Sequence, residues 1–237
     1  MSLRSSVIIV ASPRPRVGKT LLARLLIDYQ LHNGRAVAGF DLNGDNNALA
    51  QFLPEHATIA DIGTITGQMA LFDRLVADDG IAKVVDLGHE TLEAFVTVAS
   101  EIGFAEEARR HGVAPAIMYL MTPDMTSVEA FKALRKRVPQ AMLVPVQNMM
   151  LGDGPYRDKY PASATPVRLP VLAPAMRKFA DRPPFSFAAA SSTSAIDVPI
   201  DRHLELSHWV RRIFLEFREM ELQLLLVDLQ SSLQVQS

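Results

Sequence analysis

The sequence predicts a three-layer α/β fold: a mostly parallel sheet flanked by helices, followed by a C-terminal helix. Three observations predict it. Short apolar runs alternate with longer segments of helical period, the pattern of β-α units. The first apolar run leads through a short loop into Gly-Lys-Thr and an amphipathic stretch. The chain has 237 residues, 49% of them apolar and 21% charged, a length and balance suited to one substantial core.

Taken in order, Val7–Ala11 reads as a buried strand and Lys19–His32 as a helix closed by Asn33-Gly34. Ala36–Asp41, Ile81–Asp86, Ala114–Met121 and Ala141–Gln147 read as further strands. Gln68–Asp78, Leu92–His111 (closed by Gly112) and Thr126–Val138 read as the helices between them. Gly152–Pro170 is loop-like, with one short strand at Val167–Leu169, and Ala173–Ala180 reads as a short helix. The domain organisation expected is one α/β domain over 1–180, to which the loop chemistry below belongs, an irregular linker over 181–200, and a helix over 201–237 with Asp201 as N-cap. That helix either packs on the domain or mediates dimerisation. Right-handed crossovers place the strand C-termini along one edge, where open α/β sheets bind ligands.

Val7 to Thr20 carries the sharpest chemistry. Gly18 lets the backbone approach a phosphate without a Cβ, and the N–H groups opening the next helix point at an anion. Lys19 suits the β- and γ-phosphates of a nucleotide, and the Thr20 hydroxyl suits Mg²⁺. The glycine expected five residues before Gly18 is Pro13 here, and a Gly-Lys-Thr that merely opens a helix is the alternative; the strand before it and the helix after it favour phosphate binding.

The arrangement resembles the deviant Walker A P-loop ATPases, the ParA/MinD-like group of the SIMIBI class. Their loop reads Lys-Gly-Gly-x-Gly-Lys-Thr/Ser. Aligned on Gly18-Lys19-Thr20, the signature lysine falls on Arg14 and the two glycines on Pro15 and Arg16. The resemblance implies a nucleotide site formed by Arg14, Arg16, Val17, Gly18, Lys19, Thr20 and Leu21, with ATP and Mg²⁺ as cofactors. In the family the first lysine reaches the nucleotide of a dimer partner. Arg14 keeps the charge with a different donor geometry, and Pro15 removes a backbone donor.

The family's Asp-x-Asp at the second strand falls on Asp41 and Asn43. Asp41 is thus implied as a catalytic and metal-shell residue beside Lys19, while Asn43 cannot accept a proton. Asp45 is a substitute if the loop bends, and Asn-Gly-Asp-Asn is equally a turn. Asp86, ending Lys83-Val-Val-Asp, resembles the Walker B acid that holds Mg²⁺ with Thr20 and Asp41, and Gly88 a γ-phosphate sensor. Thr122-Pro123-Asp124 resembles the family's Thr-Pro-Glu, and Asn148 its adenine-contacting asparagine. Asp86-Leu-Gly88 and later spacings are similar to TraL-type conjugal-transfer ATPases. The activity implied is a slow ATPase switch of the partitioning or plasmid-maintenance type. A degenerate docking protein with little hydrolysis and a dethiobiotin-synthetase-like ligase are the rival readings.

Other classes recede. Cysteine is absent, which excludes disulfides, thiolate metal sites and cysteine nucleophiles. No Gly-x-Ser-x-Gly or His-Glu-x-x-His pattern occurs. The net charge of −2 directs DNA contact, if any, to local basic clusters at Arg109-Arg110-His111 and Lys132–Arg137, where a solvated helix end is the simpler reading. No run suits a membrane span or a secretory leader, so a soluble, cytoplasmic protein without a membrane partner is expected. Near the C-terminus, Leu206, Val210, Ile213, Phe217, Met220, Leu224 and Val227 step by four and three, an a/d seam. It suits intramolecular packing, a homodimer or a protein partner.

Overall fold

The computed structural model describes residues 5–44, 47–152, 160, 165–192 and 200–234. Seven strands form one parallel sheet: β1 (Ser6–Ala11), β2 (Val37–Leu42), β3 (Ala57–Ile59), β4 (Ala82–Leu87), β5 (Ala114–Leu120), β6 (Met142–Asn148) and β7 (Val167–Leu169). Their order is β3-β2-β4-β1-β5-β6-β7. The strand run moves outward from β1 in both directions, so the loop after β1 opens at a topological switch point. The helices are α1 (Lys19–His32), α2 (Ala48–Phe52), α3 (Ile65–Val76), α4 (Leu92–Glu101), α5 (Phe104–Arg110), α6 (Met125–Arg137), α7 (Pro174–Ala180), α8 (Phe187–Ser191) and α9 (Ile200–Gln234).

Period-two alternation divides the core. Ile8 and Val10 of β1 face a cluster formed with α1, α7, α8 and α9, while Val7, Ile9 and Ala11 face the α3–α6 side. Because both faces are covered, the central strands are mostly apolar, with Asp41, Lys83 and Asp86 the buried charged residues in β2 and β4.

Some local expectations differ from the observed chain. The single helix expected over Leu92–His111 is two, broken where Gly103 takes φ 63°, which turns Phe104 inward onto Phe72. The helix expected at Gln68 starts three residues earlier, because the Thr64 hydroxyl accepts from the Gly67 N–H at 3.1 Å. The short elements α2 and β3 carry too few residues to show a period. Within the stretch expected as irregular, 187–191 is helical and Phe187 is fully buried. Asp45, residues 193–199 and the Asp201 side chain lie outside what is described.

Helix α9 lies along the α1 face. Leu206, Val210, Ile213, Phe217 and Met220 are buried there, and Tyr29 meets Phe214 and Phe217 edge-on at 5.4 and 5.6 Å. Glu221 accepts from the Tyr29 hydroxyl at 2.8 Å and pairs with Arg35 at 2.7 Å. The a/d seam is therefore consumed by the domain through Met220, and Leu224 is partly buried against the same cluster.

Candidate functional site

The site grows from the turn between β1 and α1. Arg16 has φ 58° and Gly18 φ 99°. Arg16 thus holds the left-handed conformation at the position where the resembling family has glycine, at a cost of about 1 kcal/mol. Gly18 has a second constraint: a Cβ there would lie 2.7 Å from Asn148 Nδ2. No side chain caps α1, so its first-turn N–H groups face the loop, and the first intrahelical bond runs from Leu22 N to Gly18 O at 3.0 Å.

Lys19 is buried, and its ammonium folds back across the turn to donate to the Arg14 carbonyl at 2.8 Å. Burial lowers its pKa, and nearby Asp86 acts in the opposite sense. The Thr20 hydroxyl donates to Asp86 Oδ2 at 2.7 Å. Val17 is buried and Leu21 half-buried, so both support the loop from behind.

Asp41 and Asp86 are level with each other on adjacent strands, and both are fully buried. Burial pushes Asp86 up to about 6; the bonds from Thr20 and Asn43 oppose this, and the Asp41 charge reinforces it. Asn43 lies between the two: its Nδ2 donates to Asp86 Oδ2 at 2.7 Å and to Asp41 Oδ1 at 2.9 Å. A neutral donor here ties two carboxylates together where a third acid would repel them. Asp41 also accepts from the Asn43 and Ala50 backbone N–H groups, both at 3.1 Å, which positions α2. Asp86 Oδ1 is buried and has no hydrogen-bond partner among the described residues.

Three other expected residues are committed within the fold. Arg14 grips Asp124 Oδ1 through Nε at 3.1 Å and a terminal nitrogen at 2.5 Å. This holds the Asp124 carboxyl well below the usual carboxylate range, while Asp124 caps α6 through Ser127 N. Arg14 is thus tied within its own chain. Asn148 is buried, donates to the Val17 carbonyl at 2.9 Å and accepts from Met150 N at 3.1 Å, so its carboxamide braces the loop. The Gly88 N–H donates to Leu42 O at 3.3 Å, and a Cβ there would lie 3.0 Å from that oxygen.

Sequence reasoning did not foresee a second buried polar group one turn along α1. Arg24 stacks 3.6 Å over the Phe52 ring and donates to the Ala180 and Phe185 carbonyls. Asp28 accepts from Ser186 Oγ and Phe187 N, both at 2.6 Å. The spacing Thr20, Arg24, Asp28 is the signal that was present, one polar face on a largely apolar helix.

Members of both basic clusters meet surface carboxylates. Arg110 meets Glu106 at 2.6 Å, His111 meets Glu107 at 3.0 Å, Lys132 meets Glu129 at 3.0 Å and Arg137 meets Glu93 at 2.6 Å. Among the described residues, no three His, Cys, Asp or Glu side chains converge as a metal site, and no helix is long and apolar enough to cross a membrane.

Fold and loop together define an α/β protein with a buried lysine and a half-buried threonine at the opening of its first helix. No family model matches the sequence, and no curated protein does. Solved structures similar in chain path include the MinC:MinD cell division protein complex of Aquifex aeolicus, at 16% identity and TM-score 0.49 over 92% of this chain and 96% of that one. MinD of the same organism gives 16% identity and 0.47 over 88% and 97%. A nucleotide-binding protein in complex with ADP from Archaeoglobus fulgidus gives 17% and 0.43 over 88% and 87%.

Proposed function

We propose that the chain is a ParA/MinD-like switch that binds ATP with Mg²⁺ at the β1–α1 loop and hydrolyses it slowly. The observation that carries this reading is the loop conformation. Residues 16 and 18 are left-handed, the α1 N–H groups face inward, and Lys19 is held across the turn by a neutral carbonyl rather than a carboxylate. An anionic phosphate offers that ammonium a stronger partner than the Arg14 carbonyl does. The N–H groups of Lys19, Thr20 and Leu21 supply the remaining donors, with Arg16 at the exposed rim.

The fit to a divalent cation rests on Asp86. Its Oδ1 is buried without a partner among the described residues, and its Oδ2 accepts from the Thr20 hydroxyl at 2.7 Å; carboxylate and hydroxyl oxygens are hard donors of the kind Mg²⁺ prefers. Thr20 and Asp86 would hold the ion, with Asp41 in the surrounding shell; when bound, it neutralises charge on the phosphate oxygens. Asp41 is engaged by three donors, and Asn43 cannot take a proton from water, which supports slow turnover. In the same reading the protein is a cytoplasmic nucleotide-dependent switch whose ATP state favours one homodimeric arrangement, with partitioning or plasmid maintenance as its setting. Residues 1–180 form its nucleotide domain.

The test is thermal unfolding across ATP, ADP, GTP and buffer, each with and without Mg²⁺. ATP with Mg²⁺ is expected to raise Tm, and Lys19→Ala to abolish the shift while leaving the unliganded Tm within a few degrees. No stabilisation by any nucleotide would overturn the reading.

A further inference from the structure

Pro13 and Pro15 stiffen the first half of the β1–α1 loop. Each ring fixes its own φ and biases the residue before it towards extended backbone, so Ser12 and Arg14 lose freedom as well. The stretch 12–15 is a short stiff arm that moves as a unit, and what holds its far end decides where it lies.

Arg14 is that end. Its guanidinium meets Asp124 Oδ1 through Nε at 3.1 Å and through a terminal nitrogen at 2.5 Å. Asp124 is itself a fixed post. Its Oδ1 accepts from Ser127 N at 3.1 Å as the α6 cap, and its Oδ2 accepts from the Thr122 hydroxyl at 2.6 Å. The buried Tyr160 hydroxyl secures that turn by donating to the Thr122 carbonyl at 2.7 Å.

The other side of the arm bears on the phosphate site, because the Arg14 carbonyl accepts from the Lys19 ammonium at 2.8 Å. Asn148 holds the Val17 carbonyl from the end of β6. The loop is thus pinned at residue 14 from the cap of α6 and at residue 17 from β6, with left-handed Arg16 between the two pins. The Arg14 and Asp124 side chains are 41% and 34% exposed, so their ion pair adds little to the stability of the whole fold. Its effect falls on loop order: donors already in place spare a ligand the cost of ordering them.

We propose that Asp124 is a positioning residue for the phosphate loop, fixing through the Arg14 guanidinium the carbonyl that holds Lys19. The consequence for ATP affinity rests on the nucleotide reading above; the ordering of the loop is a property of the free chain and is measured separately.

Two variants separate position from charge. Asp124→Ser keeps a hydroxyl to cap α6 and is too short to hold Arg14. Arg14→Met keeps the aliphatic stem and removes the guanidinium. In ¹⁵N relaxation of the nucleotide-free protein, the amides of Arg14, Arg16, Val17 and Gly18 are expected to be as rigid as α1, with order parameters near about 0.85, and to fall below about 0.6 in either variant. In titrations with ATP and Mg²⁺, each variant is expected to bind about tenfold more weakly, and the double variant no more weakly than either single one, while Tm stays within a few degrees. A wild-type loop as mobile as the variants, unchanged or tighter ATP binding by Asp124→Ser, or additive losses in the double variant would overturn the proposal. Tighter binding would mean that Asp124 only masks the Arg14 charge. A wild type that binds no nucleotide but shows the expected relaxation changes would remove the ATP reading and support the anchoring of the loop by Asp124.

Discussion

Asp28 and Asp86 lie in two parts of the molecule with the same burial and different accounting. Both are fully buried, and burial pushes both up to about 6. Asp28 is opposed in this by bonds from Ser186 and Phe187 and by the Arg24 charge. Each of its oxygens has a donor at 2.6 Å, and those donors belong to the segment entering α8. Asp86 receives Thr20 and Asn43 on a single oxygen, and its other oxygen has no partner among the described residues. Equal perturbation therefore does not mean equal role. A buried carboxylate with both oxygens satisfied is a fastening, whereas an orphaned oxygen at a sheet's C-terminal edge costs stability and persists where a ligand uses it.

The contrast breaks most visibly in Asp28→Ala. It leaves the Phe187 N–H without its acceptor and the buried Arg24 without its nearby charge, a loss of roughly 3–5 kcal/mol. Urea unfolding is the measurement, and a loss under 1 kcal/mol would remove Asp28 from the role of fastening.

Next in size is the pH dependence. The folded pKa of Asp28 is raised from 3.8 to about 6, so between these values the folded state holds a proton that the unfolded state has released. Stability accordingly falls as pH rises through that window and levels off above it. The span is on the order of 3 kcal/mol. Asp86 contributes with the same sign, so Asp28→Asn should remove about half of the slope measured by denaturation between pH 4 and pH 7.

Asp86→Asn should behave in the opposite manner to Asp28→Ala. Its amide oxygen still accepts from Thr20 and Asn43, and the repulsion with Asp41 is gone, so stability should change by less than about 1 kcal/mol. Stabilisation by ATP with Mg²⁺ should weaken at least tenfold in affinity, as read by titration. Retained affinity with lost stability would reverse the two roles.

Asn43→Asp is the smallest and most discriminating change. A third carboxylate between Asp41 and Asp86 should cost about 1–2 kcal/mol in unfolding assays. It also installs a proton acceptor, so ATP turnover per bound nucleotide should rise; unchanged turnover would separate Asn43 from the slow step.

Much of the fold was legible because parallel sheets bury both faces, so each central strand is a short apolar run between helical periods. The strand, turn and helix around Gly18-Lys19-Thr20 were legible because they are contiguous in the chain. Local reading lost precision where a single residue decides, as Gly103 does in dividing α4 from α5. It failed for the fastening at Arg24 and Asp28, whose partners lie more than 150 residues away.

The sequence by itself determined the α/β class, the placement of Gly18, Lys19 and Thr20 at the start of α1, and the two acids at strand ends. These follow from period and adjacency, which act over a few residues. Only the tertiary structure decided that Arg14 is held by Asp124, that Asn43 joins two carboxylates, that Asn148 braces the loop, and which side of α9 is spent on the domain. Those outcomes depend on which distant groups the folded sheet brings within hydrogen-bond or van der Waals reach, and spacing along the chain carries no record of that.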